Sequence, residues 1–175
     1  MNSFMEEIDR GLSSEFKENL SILRGIHFFS ELPMETVKVL AYLCTREVFK
    51  AGDYLFRQKE DDGQTFFIIS GRAQLVHEAE KKTLIIRTVD AGTCLGSLGL
   101  LSKAPRVFSL KALTDTTCLI LSREKFTKAI ENFPDLVPKI LKAVVESVHI
   151  WEERFLADSD ESCEKWLQKI GVSLL

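Results

Sequence analysis

The sequence predicts a mainly β fold with flanking helices: an antiparallel β jelly-roll barrel, N-terminal helices before it and a long C-terminal helix after it. Three observations predict it. The middle of the chain holds about seven short apolar runs, set off by turn signals such as Ala51-Gly52-Asp53, Asp61-Asp62-Gly63 and Asp90-Ala91-Gly92. Ahead of them, apolar residues recur with helical spacing. Behind them, Leu141, Val144, Val148, Trp151 and Phe155 follow the stepping of a heptad stripe.

In order, residues 1–14 carry mixed polar character and are expected to fray. Phe16, Leu20 and Leu23 then share one face of a short helix that Gly25 ends. Pro33 suits the first turn of a second helix, which buries Val37, Leu40, Ala41 and Cys44. Extended runs follow at 47–50, 54–56, 65–69, 72–77, 83–89, 107–113 and 117–121, with a charged hairpin tip at 78–82. Ser122 is a suitable N-cap for a helix whose inner face is Phe126 and Ile130. Asn132-Phe133-Pro134 breaks that helix, and a long one runs from about 135 to 157. Acidic Asp158-Ser159-Asp160-Glu161 precedes a last short helix bearing Trp166, Leu167 and Ile170, ended by Gly171. The expected organisation is an N-terminal helical segment (1–25), a β-barrel domain (26–133), and a C-terminal dimerisation or lid helix with a short tail helix (134–175).

The 175 residues are 45% hydrophobic and 28% charged, and twelve Phe supply the volume of a filled core. A formal charge of −3, with no run of Lys and Arg, argues against an extended nucleic-acid surface. No stretch approaches the roughly 18–20 apolar residues of a membrane-spanning helix. The acidic start, Met1 to Glu7, is no signal peptide, so a cytoplasmic location is the default expectation. Cys44, Cys94, Cys118 and Cys163 form no CxxC pair and have no His at ligand spacing; they read as reduced thiols. Asp61-Asp62 and the acidic stretch at 158–161 lack the spacing of a calcium loop and read as solvated turns. No metal site is expected. His27, His77 and His149 have no nucleophile or carboxylate at triad spacing, and His149 reads as a rim residue of the heptad stripe. Without a G-x-S-x-G, P-loop or HExxH motif, the chain is not expected to be an enzyme or to carry a cofactor.

The motif with chemistry in it is Leu95-Gly96-Ser97-Leu98-Gly99-Leu100-Leu101-Ser102-Lys103-Ala104-Pro105-Arg106. Gly96 and Gly99 permit tight backbone turning, so several N–H groups can converge on one anion. Arg106 can then complete the charge match.

With Phe28-Phe29 and Leu32, the hairpin from Phe49 through Gly52 to Phe56, and Phe67-Ile68-Ile69-Ser70-Gly71-Arg72-Ala73, this motif resembles the cyclic nucleotide-binding domain family. Catabolite-activator-type regulators and the regulatory subunits of cAMP-dependent kinase carry that domain, and the resemblance covers roughly residues 26 to 155. It implies that residues 96–106 are a phosphate-binding cassette. Arg106 takes the place of the arginine that pairs with the cyclic phosphate, and the backbone N–H groups of Leu98, Gly99 and Leu100 point at the anion. Three positions depart from the family pattern. Ser97 stands where a Glu binds the ribose 2′-hydroxyl, Gly99 where Ala is usual, and Val107 and Phe108 where two small residues follow the arginine. Ser109 keeps a hydroxyl that can contact base or phosphate.

A hydrogen bond to a charged partner contributes about 1.5–3 kcal/mol, so the missing carboxylate weakens a ribonucleotide roughly 10- to 100-fold. Two readings stay open. One is a regulatory sensor that binds cAMP or cGMP weakly, or another small anionic ligand. The other is a ligand-free dimerisation or docking module. A homodimer through Leu141, Val144, Val148, Trp151 and Phe155 is expected, together with a downstream protein the sequence does not name. The resemblance also implies that a DNA-binding regulator would need a helix-turn-helix beyond this helix. Only 18 residues follow Ala157, so direct DNA binding is not expected.

Overall fold

The computed structural model describes residues 14–79, 82–131 and 133–157, with the side chains of 134, 147 and 151–157 left aside. Among the described residues, three helices lead in: α1 (Ser14–Gly25), α2 (His27–Ser30) and α3 (Met34–Leu43). Pro33 is the N-cap of α3 rather than part of its first turn, because its ψ of 146° is extended. Eight strands follow: β1 (Thr45–Phe49), β2 (Tyr54–Phe56), β3 (Gln64–Ser70), β4 (Arg72–Ala79), β5 (Lys82–Asp90), β6 (Cys94–Leu95), β7 (Ser109–Ala112) and β8 (Thr116–Ser122). A 3-10 helix (Ser97–Leu100) lies between β6 and β7. The chain closes its described part with α4 (Arg123–Glu131), a 3-10 turn (Pro134–Leu136) and α5 (Val137–Ala157).

The strands form two four-stranded antiparallel sheets, in the orders β1-β8-β3-β6 and β2-β7-β4-β5. The mainly β fold with flanking helices is therefore as expected, built as two facing sheets. Alternation along β3 and β8 explains why both strands are apolar on both faces. Phe66, Ile68, Cys118 and Ile120 point into the cluster between the sheets, with Leu55, Phe56, Leu75 and Leu110. Leu119 and Leu121 point the other way, into a second cluster with Phe28, Phe29, Leu40 and Phe126. The strand expected over 107–113 is shorter, 109–112, and β6 is an added short strand that pairs with Phe66 and Phe67.

On α3, Val37, Leu40 and Ala41 are buried as the spacing requires, while Cys44 lies just past the helix as its C-cap. Ser122 Oγ accepts the Lys125 N–H at 3.4 Å, the expected capping contact of α4. Along α5 the inward positions are Ile140 and Ala143, whereas Leu141 is 62% exposed and Val148 is also exposed. The expected stripe is thus largely uncovered within the described residues. Trp151 and Phe155 have side chains outside them, as do the expected helix around Trp166, Leu167 and Ile170, Cys163 and the hairpin tip at 80–81. Among the described residues, no helix is long and apolar enough to cross a membrane.

Candidate anion-binding cassette

Residues 96–106 connect the two hydrophobic clusters. Leu100 is fully buried in the helical cluster, which fixes the C-terminal end of the 3-10 helix. At the other end of the loop, Arg106 lays its guanidinium carbon 4.2 Å over the Phe56 ring, on the edge of the cluster between the sheets. The loop N–H and C=O of Arg106 pair with Glu60 O at 2.8 Å and with Lys59 N at 2.8 Å. These bonds tie the cassette to the loop between β2 and β3.

Arg106 is only 11% exposed, and its fork is already engaged. Nη2 donates to Asp62 Oδ1 at 2.6 Å and Nε donates to Asp62 Oδ2 at 3.1 Å, a bidentate pair. Nη2 also donates to the Gln64 carbonyl oxygen. Nη1 lies against Gly96, where a Cβ would overlap it and would come within 2.8 Å of Gln64 O. Gly96 has φ +87°, so glycine is required here both for the backbone conformation and for room beside the arginine.

Asp61 is used in the same way. Arg123, the first residue of α4, forms a bidentate pair with Asp61, including Nη1 to Oδ2 at 3.2 Å, and donates through Nε to Gly99 O at 2.7 Å. The hydrogen bond from Arg123 holds the Asp61 carboxyl below its ordinary range. The Asp61-Asp62 turn is therefore no loose solvated loop. Its two carboxylates clamp two arginines, one in the cassette and one at the start of α4.

The remaining cassette residues have equally definite places. Ser97 Oγ lies 3.4 Å from Thr65 Oγ1 and 3.5 Å from Cys94 Sγ, turned onto β3 and β6. Of the N–H groups expected to face an anion, that of Gly99 donates to Gly96 O at 2.9 Å instead. Leu98 is half exposed. Val107 is 72% exposed and does not crowd the cassette; its carbonyl meets His77 Nδ1 at 3.1 Å. Phe108 does turn inward, packing on the intersheet cluster with its ring 5.8 Å from Phe56. Ser109 is buried, and its Oγ accepts the Gln58 N–H at 2.9 Å.

Desolvation pushes the Cys94 thiol up, opposed by its contacts with Ser97 and Thr65. Burial pushes Cys44 and Cys118 up to about 12 each. All three are free thiols.

A two-sheet β domain with a glycine-opened 3-10 turn and a returning arginine over the intersheet core matches one family description. The profile of the cyclic nucleotide-binding domain covers residues 46–133. The chain belongs to that family. Within it, cGMP-dependent protein kinase 2 of Mus musculus is 24% identical over 176 residues, covering 98% of this chain and 23% of the kinase. The chain thus spans under a quarter of that relative's length. A cyclic nucleotide-binding-like protein of Brucella abortus superposes with a TM-score of 0.61 at 28% identity, over 65% of this chain and 98% of that one. The regulatory domain of Toxoplasma gondii PKA, solved with cAMP, superposes with a TM-score of 0.59 at 21% identity, over 73% of this chain and 50% of that one. This cyclic nucleotide-binding domain is of the kind found in regulatory proteins. Asp62, Gln64, Asp61 and Arg123 are the site residues that motif spacing missed. The one signal for them was an acidic pair placed immediately before the aromatic β3 run.

Proposed function

We propose that this chain is a non-catalytic regulatory domain whose cassette accepts a cyclic nucleotide, cAMP or cGMP, or a similar small anion, with weak affinity and without reading the ribose. The observation that carries the proposal is Arg106. It is retained at the cassette, stacked on Phe56 and seated against Gly96, where a phosphate brought to the loop would meet Nη1. Weakness follows from its neighbours. Asp62 already satisfies two of the guanidinium directions and repels a second anion, and Ser97 offers no carboxylate to a 2′-hydroxyl.

The competing reading, a ligand-free docking module, draws support from Phe108, which packs where the family pattern keeps a small residue. Titration calorimetry of the folded chain with cAMP, cGMP and 2′-deoxy-cAMP separates the two. Weak binding, equal for cAMP and its deoxy analogue and lost in Arg106→Lys, is the result expected of the sensor. No heat at millimolar nucleotide overturns it in favour of the docking module.

Pairing with a second copy belongs to the same proposal. Leu141 and Val148 are exposed on α5 and Val144 lines an open groove beside α4, so the uncovered part of the stripe at Leu141 and Val148, with Trp151 and Phe155 next in the spacing, is the surface proposed for a partner. Light scattering reports that pairing directly. A cytoplasmic setting and a downstream protein partner complete the reading.

A further inference from the structure

β5 ends its sheet, so one long side of this nine-residue strand has no strand beside it among the described residues. Edge strands of that length are ordinarily blunted by charge, by proline or by a bulge. β5 has a bulge, because its register with β4 passes from Leu75–Arg87 to Val76–Ile85 and leaves Ile86 over. It also keeps three consecutive apolar residues in the open: Leu84 is 60% exposed, Ile85 57% and Ile86 49%. Single exposed apolar residues need no explanation, but a contiguous run on a strand edge marks an interaction surface.

The sequence of β5 is complementary to itself. Laid antiparallel against a second β5 with Ile86 opposite Ile86, Lys82 of each copy faces Asp90 of the other, at both ends of the ladder. Between them Thr83 faces Val89, Leu84 faces Thr88 and Ile85 faces Arg87, so no like charges meet. Within its own chain Lys82 lies opposite Ala79, so the second copy supplies the acidic neighbour that β4 does not. Other registers lose this match. A slip of one residue sets Lys82 against Val89, or Asp90 against Thr83, and centring the pair on Arg87 opposes two arginines. The bulge fits the matched register, because it falls on the two-fold axis and the straight halves 82–85 and 87–90 pair with each other. Thr83, Ile85, Ile86, Thr88 and Val89 are β-branched and suit a strand paired on both sides.

We propose that β5 is an interface for a second copy of this chain, the two β5 strands pairing antiparallel about Ile86 so that their two sheets become one. The surface is not that of α5, and the inference rests neither on nucleotide binding nor on the pairing proposed for that helix.

The test uses the full chain carrying Val148→Glu, which sets like charges across the exposed α5 surface. Sedimentation is expected to show a dimer in this background. Lys82→Asp, at an exposed position, weakens that dimer about tenfold, because both end pairs become acid against acid. Ile86→Cys reads the register without a change of charge. Directly opposed Cβ atoms lie about 4.5–5.5 Å apart, so this variant crosslinks on mild oxidation above the level of the Val148→Glu chain. Leu84→Cys, about 14 Å from its counterpart, does not. A monomer at every concentration in the Val148→Glu background overturns the proposal. So does a dimer indifferent to Lys82→Asp, or one that crosslinks through position 84 as readily as through 86.

Discussion

Arg106 and Asp62, 44 residues apart, meet in a bidentate pair with Nη2–Oδ1 at 2.6 Å and Nε–Oδ2 at 3.1 Å. The pair faces Gly96 on one side and Phe56 on the other, so it sits where the cassette joins the intersheet core. It therefore has two effects. It holds the arginine in one geometry, and it places a negative charge beside any anion the arginine attracts.

Asp62→Asn separates those effects. Removing the charge leaves a mostly buried guanidinium without its counterion, which destabilises the fold by about 3 kcal/mol, the low end for a broken buried pair because Asn keeps an accepting oxygen. The same change removes the repulsion between carboxylate and incoming phosphate, so anion affinity rises while stability falls. Urea unfolding and calorimetry on one preparation give both signs. A variant that loses stability and also binds more weakly would assign Asp62 to positioning alone.

Gly96→Ala tests the seat of the arginine. Alanine at φ +87° carries left-handed strain, and its methyl overlaps Nη1, so the guanidinium must leave Asp62 or the loop must shift. The expected loss is about 2–3 kcal/mol in chemical denaturation. Gly25, which has open space around it and no positive φ, is the control and tolerates alanine.

The difference between these glycines shows what the sequence could and could not convey. Strand pattern, turn residues and the Pro105-Arg106 ending made the fold and the cassette legible, because each rests on local spacing. The clamp was not legible. Asp61 and Asp62 find Arg123 and Arg106 only when the chain has folded, across 62 and 44 residues, and an acidic pair in a loop has the same composition as a solvated turn. β5 shows the same limit from another side. Its extended run was legible but its exposure was not: β5 is an edge strand, and Leu84, Ile85 and Ile86 are all exposed. Likewise the heptad stripe gave the spacing along α5 but not its rotation, which turns Ile140 and Ala143 inward and leaves Leu141 outside.

Ser97→Glu restores a carboxylate at the position that would face a ribose. If the cassette admits nucleotide, the gain for cAMP is roughly 10- to 100-fold, the worth of one charge-assisted hydrogen bond. The gain for 2′-deoxy-cAMP is absent, because the deoxy sugar offers no hydroxyl to bond. Equal gains for both ligands would mean that the new carboxylate acts by rearranging Thr65 and Cys94, the groups Ser97 now touches.

The Asp61–Arg123 pair gives the domain a defined response to acid. Its hydrogen bond with Arg123 lowers the Asp61 pKa relative to the unfolded chain, where the carboxyl titrates near about 3.9. A lowered folded-state value means that the stabilisation is complete above the unfolded value. It is lost as pH falls through the folded one. The stability difference between the native sequence and Asp61→Asn is therefore constant from neutral pH down to about pH 5 and shrinks below about pH 4. Urea midpoints of the two proteins across that range measure it. Because Arg123 also donates to Gly99 O at 2.7 Å, the variant frees the start of α4 from the 3-10 helix, and hydrogen exchange at residues 97–101 rises with it. A difference that widens on acidification would show that Asp61 is not held in its charged form by Arg123.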